Sequence, residues 1–139
     1  MASILKVDEL QGIVSAGDIT VTSEGGAATQ SLQQGLAKSW LNFNGTGTIA
    51  TRDSLNVSGL VDNGTGDYSI TYSSAPANAN YCVTSSSGQA ERPLRTGSDK
   101  SASNITTSLV RLQQHYGTSG VALGEDVGFV AASINGDLA

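Results

Sequence analysis

After residue 17, apolar and polar residues alternate in several short runs, which is the pattern of strands that bury one face. The clearest runs flank residues 62–67 (DNGTGD): residues 55–61 alternate before this segment, and Tyr68, Ile70 and Tyr72 share one face after it. Because Asn-Gly favours the positive-φ positions of tight turns, we predict a β-hairpin here, with the tyrosine face in the core. Other runs that predict strands are residues 18–22, 36–43, 81–85, 105–112 and 127–134.

About eight short strands separated by turn residues are typical of an antiparallel β-sandwich or jelly roll, so we predict an all-β domain over residues 17–139. Within it, Leu41 and Phe43 fall on one side of their strand and Trp40 on the other, although residues 32–41 also fit a short helix. Residues 87–103 show no periodicity and are interpreted as an exposed loop. A second polar loop is predicted around Tyr116.

Residues 1–16 differ from the rest of the chain and are predicted to form an extended N-terminal attachment segment. Apolar side chains are crowded there, and the positions that we expect to dock on a partner are Ile4, Leu5, Val7, Leu10, Ile13 and Val14. In a self-contained domain the same residues would form a first strand or a short docking helix. No run reaches the ~18 apolar residues of a membrane span, and the first residues lack the apolar core of a signal peptide. We therefore expect neither a membrane anchor nor secretion.

The chain has few charged residues, and this limits the classes of partner that it is expected to bind. Charged residues make up 14% of the 139 residues and the net charge is −5, whereas about 25% charged residues is typical of a soluble domain. The seven basic residues do not form the stripe that binding to nucleic acid requires. Surface polarity comes from hydroxyl and amide groups, which pack between subunits without the cost of desolvating ions. The composition favours a structural or binding protein that contacts no nucleic acid.

No arrangement of reactive residues predicts an enzyme, a cofactor or a metal site. His115 is the only histidine and Cys82 the only cysteine, so a closed zinc site within one chain is out of reach. The default for Cys82 is a buried strand position. Residues 62–67 offer oxygen ligands of the kind that calcium prefers, but they lack the glutamate of an EF-hand, and a turn is the simpler interpretation. Glu125 and Asp126 are adjacent, which suits a solvated turn better than a facing glycosidase pair.

Three groups of motifs follow one another in order along the chain. They are residues 24–26 with 32–40 (EGG, LQQGLAKSW), residues 40–48 leading to 52–54 and 56–58 (WLNFNGTGT, RDS, NVS), and residues 62–68 with 79–81 (DNGTGDY, ANY). Together with the opening residues 4–8 (ILKVD), this order resembles a β-rich domain of tail-fibre and other surface proteins of tailed phages, many of them marine. The resemblance covers roughly residues 4–83. It implies a virion component, a homotrimer, displayed on the outside of the particle.

These observations predict a structural subunit of a phage virion: a short tail fibre, a head fibre or a capsid decoration protein. It would be made in the cytoplasm of the bacterial host, join other capsid or tail proteins through residues 1–16, and form a homotrimer in which copies cover open strand edges. The alternative is a receptor- or carbohydrate-binding module that recognises a host surface glycan. For that alternative the candidate contacts are Tyr116, Arg92 and Arg95, in the two predicted loops.

Overall fold

The computed structural model describes residues 4–15, 18–88, 94–98, 104–118 and 121–137; for residues 94–98, 116–118, 121 and 122 it describes the backbone. The chain divides into two compact units, Met1–Leu36 and Ala37–Ala139. The first unit therefore includes residues 18–36, which the sequence pattern groups with the sandwich domain. The attachment role predicted for residues 1–16 stays a prediction.

The N-terminal unit contains little regular structure. Its first part, residues 4–15, forms neither helix nor strand, and we call it the arm. Strands β1 (Thr20–Thr22) and β2 (Thr29–Ser31) then form an antiparallel pair. Helix α1 (Leu32–Gly35) is a single turn, capped by Ser31 Oγ, which accepts from the backbone N–H of Gln34. The helical interpretation of residues 32–41 is thus correct only for this first turn.

The second unit is built from two antiparallel sheets. Its strands are β3 (Ala37–Asn44), β4 (Ala50–Leu55), β5 (Val57–Gly64), β6 (Asp67–Tyr72), β7 (Cys82–Gly88), β8 (Leu94–Ser98), β9 (Leu109–Thr118), β10 (Val121–Gly124) and β11 (Phe129–Asn135). The four-stranded sheet has the order β4-β3-β11-β7. The five-stranded sheet has the order β10-β9-β6-β5, with β8 also paired to β9. The predicted all-β antiparallel sandwich is confirmed.

The core lies between the two sheets, because alternate residues of each strand point inward. Phe43 of β3 and Tyr68 of β6 meet there edge-to-face, with ring centroids 4.9 Å apart and both side chains fully buried. The other buried apolar residues are Leu41, Ile70, Tyr72, Tyr81, Val110, Leu112, Val127, Val130, Ala132 and Ile134. The burial predicted for Tyr68, Ile70 and Tyr72 is therefore confirmed, and each large apolar side chain so buried contributes about 1.5–3 kcal/mol.

Strand β4 passes into β5 at a corner formed by Asn56, where the chain leaves one sheet and enters the other. Asn56 has a φ of 56°, in the left-handed region that asparagine tolerates better than most residues. Its Nδ2 donates to the carbonyls of Lys38 (3.0 Å) and Ser74 (2.9 Å), and its Oδ1 accepts from Ser74 N (2.6 Å). Among the described strands, β4 lies at one edge of the four-stranded sheet and β5 at one edge of the five-stranded sheet. The corner at Asn56 therefore joins two edge strands.

The predicted hairpin is present, but its tip differs from the expected one. The last paired residues are Gly64 and Asp67, so Thr65 and Gly66 form the turn. The Asn63-Gly64 pair lies instead at a register shift between Asp62 and Gly64. Gly66 has a φ of 70°, and a side chain there would collide with the backbone of Gln114 and Glu125. Tertiary packing therefore selects the turn residues, not Asn-Gly alone.

The two loop predictions are wrong. The segment 87–103 is not simply a loop, because β8 lies within it and pairs with β9 along its length. Tyr116 is likewise not in a loop: β9 extends to Thr118, and Tyr116 pairs with Leu94 on one side and with Leu123 on the other. In both places the extended conformation comes from backbone pairing with neighbouring strands. The alternation of apolar and polar residues does not predict it.

Cys82 is exposed, not buried. It opens β7, where residues alternate between the two faces, and its neighbour Tyr81 takes the buried position. The Tyr81 hydroxyl donates to the carbonyl of Thr106 (2.9 Å) and lies 3.2 Å from that of Leu109. Because Tyr81 is held inside by these contacts, Cys82 must point to the other side of the strand.

Candidate functional site

The outer face of the four-stranded sheet carries a half-buried tryptophan, with small polar residues on its β11 side and the exposed Leu55 paired to it on β4. Trp40 lies on β3, and because Leu41 and Phe43 point into the core, period-two alternation turns the indole outward. Directly across the sheet, Trp40 pairs with Ser133 of β11 and Ser133 pairs with Thr84 of β7. The expectation that Trp40 lies opposite to Leu41 and Phe43 is confirmed.

A groove runs beside this tryptophan. Its volume is about 400 Å³, and its lining residues come from β3, β7 and β11: Trp40, Leu41, Asn42, Thr84, Ser85, Ser86, Ala131, Ala132 and Ser133. In the second row of the sheet, Asn42 pairs with Ala131 and Ala131 with Ser86, so the small alanine leaves space next to the indole. None of these nine lining residues is charged.

Arg52 forms hydrogen bonds with residues of β3 and with Gly128, just before β11, at one end of this face. The register of β3 and β4 shifts between Asn42 and Phe43, which leaves Arg52 as an extra residue in β4. Its Nη1 donates to Asn42 Oδ1 (3.2 Å) and to the Phe43 carbonyl (2.9 Å), and its Nη2 donates to the Gly128 carbonyl. The guanidinium thus orients the Asn42 amide and links β3 and β4 to the start of β11. No sequence pattern singles out this role, because it depends on a register shift.

The six predicted docking residues all lie on the arm and are all exposed. The exposed fractions of their side chains are 78% for Ile4, 79% for Leu5, 55% for Val7, 53% for Leu10, 104% for Ile13 and 92% for Val14. The arm therefore has no apolar surface of its own against which these residues pack. The structure places the six residues on one continuous segment, and docking itself stays a prediction.

The predicted receptor contacts are only partly within the described residues. Arg92 lies outside them. The backbone of Arg95 is in β8 opposite His115, and that of Tyr116 is in β9, while the side chains of Arg95 and Tyr116 lie outside the described part of the structure. The structure brings β8 and β9 together, but it does not test contact with a receptor.

The hairpin segment 62–67 forms an internally bonded turn. Asp62 Oδ1 accepts from Gly64 N (2.9 Å), and Asn63 Nδ2 donates to Asp67 Oδ1 (3.3 Å) and Ser69 Oγ (2.8 Å). The described residues contain no group of three or more histidine, cysteine, aspartate or glutamate side chains that could hold a metal ion. The turn accounts for these polar residues.

Asp126, predicted to lie in a solvated turn, instead forms hydrogen bonds that connect it to β6 and to the hairpin turn before it. Its Oδ1 accepts from the Tyr68 hydroxyl (2.8 Å) and from Gly66 N (2.7 Å). The Tyr68 hydroxyl also contacts the Gly45 carbonyl at 3.0 Å. Burial, reinforced by the hydrogen bond and charge of Asp126, raises the pKa of Tyr68 well above its ordinary value. Asp126 is therefore a structural residue.

An ion pair joins β6 and β9 near the same end. Arg111 Nε donates to Asp67 Oδ1 (2.6 Å), and Arg111 Nη2 donates to Asp67 Oδ2. The Arg111 hydrogen bond lowers the pKa of Asp67, a shift that partial burial opposes. Because the two side chains remain 35% and 17% exposed, the pair is partly screened by water and stabilises the fold weakly.

No protein family, curated protein or solved structure matches this chain. In the described part of the chain, no helix has the length and apolar character needed to span a membrane. The resemblance to phage surface proteins therefore stays a prediction, and functional arguments rest on this chain's own residues.

Proposed function

We propose that this chain is a structural subunit of a tailed-phage virion, as a short tail fibre, a head fibre or a capsid decoration protein. The motif resemblance over residues 4–83 supports the virion assignment. The observation that carries assembly is the exposure of six large aliphatic side chains on the arm. A large group of exposed apolar residues is a mark of an interaction site.

The arm supplies a physical reason for docking on another protein. Residues 4–15 have no helix or strand that would satisfy their backbone groups, and Ile13 and Val14 are almost wholly in water. Burying each such side chain in a partner would contribute about 1.5–3 kcal/mol before the cost of ordering the arm is subtracted. A capsid or tail protein with an apolar groove fits this segment.

The sandwich supplies a second contact, which joins copies of the chain to one another. Within the described residues, β4 and β5 each lie at one edge of their sheet, and each carries an exposed apolar residue: Leu55 is 47% and Val61 50% exposed. An open strand edge offers unpaired N–H and C=O groups that a neighbouring copy satisfies. The homotrimer itself follows from the resemblance, and these edges support it.

Two variants test the proposal in infection with the phage that encodes the chain. In the arm variant, Ile4, Leu5, Val7, Leu10, Ile13 and Val14 are all replaced by serine. We expect mass spectrometry of purified particles to detect the unaltered chain and to miss the arm variant, which still folds and sediments as a trimer. The matched edge variant, Leu55→Ser with Val61→Ser, should instead weaken the trimer. Purified particles that lack the unaltered chain would refute the virion assignment.

The second candidate function, a receptor- or carbohydrate-binding module, is favoured by one observation: the groove beside Trp40 on the outer sheet face. Its predicted contacts Tyr116, Arg92 and Arg95 stay predictions. A glycan array with the unaltered chain and with Tyr116→Ala tests them. Binding that Tyr116→Ala abolishes would support those contacts, and binding that it leaves intact would place the glycan elsewhere.

A further inference from the structure

We propose that the groove beside Trp40 binds a neutral saccharide, with one sugar ring stacked on the indole. The inference rests on the second candidate function, a carbohydrate-binding module, and gives it a site away from the predicted loop contacts. It does not depend on the virion assignment, since a virion subunit with or without this site would enter the particle in the same way.

The indole is placed for stacking. Trp40 is half-buried, so its neighbours in the sheet hold it while part of the ring system remains open to solvent. The core does not require this side chain, because Leu41 on the same strand already fills the inward position. A pyranose ring presents a face of C–H groups, and a large, rigid aromatic surface packs against such a face at little entropic cost.

Polar residues on β3, β11 and β7 line the groove beside the indole. The hydroxyl groups of Ser86 and Ser133 and the Asn42 amide lie in the lining, and Thr84 Oγ1 already bonds the Ser133 carbonyl at 3.3 Å. Arg52 occupies the Asn42 oxygen, which leaves the Asn42 NH₂ group as a donor without an acceptor among the described residues. A few fixed polar groups around an apolar contact are what orients a small ligand in a site.

The charge of the lining selects the class of saccharide. None of the nine lining residues is charged, and the chain as a whole carries a net charge of −5. The Arg52 guanidinium lies beside Asn42, but it already donates to three protein oxygens. An acidic sugar would therefore meet no charged residue in the lining itself and would be repelled by the net charge. A neutral hexose or N-acetylhexosamine unit loses little by leaving water for hydroxyl and amide partners. The volume of about 400 Å³ lies at the small end of ligand sites, which run from about 300 to 1,000 Å³.

The chain itself supplies the reporter, because Trp40 is its only tryptophan. Tryptophan emission of the full chain would be followed while cellotetraose, maltotetraose, mannotetraose or chitotetraose is added to millimolar concentration, with the acidic tetragalacturonate as comparison. We expect a saturable change in emission with at least one neutral oligosaccharide and none with the acidic one. Absence of any saturable change with all four neutral compounds would overturn the proposal.

Four variants, one of them a control, locate the site by calorimetry with the oligosaccharide that binds. Trp40→Ala should weaken binding by about thirtyfold or more, as expected for a central aromatic contact, whereas Trp40→Phe should retain part of it. Ala131→Leu fills the floor of the groove, keeps the fluorophore and should abolish the emission change. Phe129→Ala is the matched control, because Phe129 is an exposed aromatic residue of the same sheet outside the lining, and it should leave affinity unchanged.

A sedimentation measurement on the same variants separates a saccharide site from a contact between subunits. We expect Trp40→Ala and Ala131→Leu to sediment like the unaltered chain. If either variant loses its oligomeric state, the groove is a subunit interface and the proposal is wrong. If a saccharide binds equally well to all variants, binding is real but lies elsewhere, and the proposed groove is again wrong. In both cases detection of the chain in particles still tests the virion assignment separately.

Discussion

The arm and the sandwich use similar apolar residues in opposite ways. In the sandwich, Phe43, Ile70 and Val110 are completely buried, whereas on the arm Ile13 and Val14 are 104% and 92% exposed. The difference lies in what surrounds them. Two sheets present facing rows of alternate side chains and can close over a core, while the arm has no second layer to cover it. Apolar character therefore stabilises the fold in one region and, in our account, is available for a partner in the other.

The largest expected effect contrasts one residue from each region. Phe43→Ala removes a fully buried ring that packs edge-on against Tyr68, so unfolding by denaturant should show a loss of about 3–5 kcal/mol. The matched change Ile13→Ala, on the exposed arm, should alter the free energy of unfolding by less than about 0.5 kcal/mol. Similar losses from the two variants would break the comparison, because the arm would then belong to the folded core.

The corner at Asn56 tests how the two sheets are joined. Asn56→Ala removes three hydrogen bonds and places alanine at a φ of 56°, so we expect a loss of about 2–4 kcal/mol in the free energy of unfolding. Asn56→Gly removes the same bonds but accepts this φ without strain, and its loss should be smaller. If glycine proves as damaging as alanine, backbone strain plays no part at this corner.

Alkaline pH should destabilise the sandwich through its buried tyrosines. Burial raises the pKa of Tyr68 and Tyr72 above the ordinary 10.0. Above pH 10 the unfolded chain therefore loses phenolic protons that the folded chain keeps, so the stabilisation present below pH 10 declines as pH rises. The slope is at most about 1.4 kcal/mol per pH unit for each tyrosine. Urea unfolding at pH 8 and above pH 10 measures this pH dependence of the free energy of unfolding. Tyr72→Phe should make the dependence weaker. An unchanged slope in that variant would contradict a contribution from Tyr72.

The smallest expected effect concerns the ion pair at the edge of the core. Arg111 lowers the pKa of Asp67 below its ordinary 3.8, so the pair stabilises the fold above that pH and its contribution is lost as pH falls through the lowered value. Asp67→Asn should cost no more than about 1 kcal/mol at neutral pH, because both side chains are partly exposed. The same variant should lose less stability than the unaltered chain on acidification. If Asp67→Asn loses more stability than the unaltered chain on acidification, the ion pair does not stabilise the fold.

Local patterns predict the fold where side-chain alternation and core burial coincide. The alternation of Tyr68, Ile70 and Tyr72 predicts both a strand and its buried face, and residues 62–67 predict a hairpin, as observed. Strand β8 escapes such reasoning, because its residues LRTGS do not alternate and its extended form comes from pairing with β9. Pairing between distant strands is invisible to a window of a few residues.

The sequence predicts the direction of Trp40 in the candidate groove, but not the residues that surround it. The inward positions of Leu41 and Phe43 predict that Trp40 points outward. Its neighbours Ser133 and Thr84 come from β11 and β7, and their position beside Trp40 depends on the registers of two strand pairs far apart in sequence. The same holds for Asp126 between β10 and β11, because its bond to Tyr68 joins residues 58 positions apart in sequence.

Hydrogen exchange of the arm, in the free chain and in the assembled particle, tests the central claim most directly. We predict that the amides of residues 4–15 exchange rapidly in the free chain, where the arm has no helix or strand, while those of β3, β6 and β11 are protected. In the particle the arm amides should become protected as well. An arm that exchanges equally fast in both states, or that is already protected in the free chain, would contradict the account.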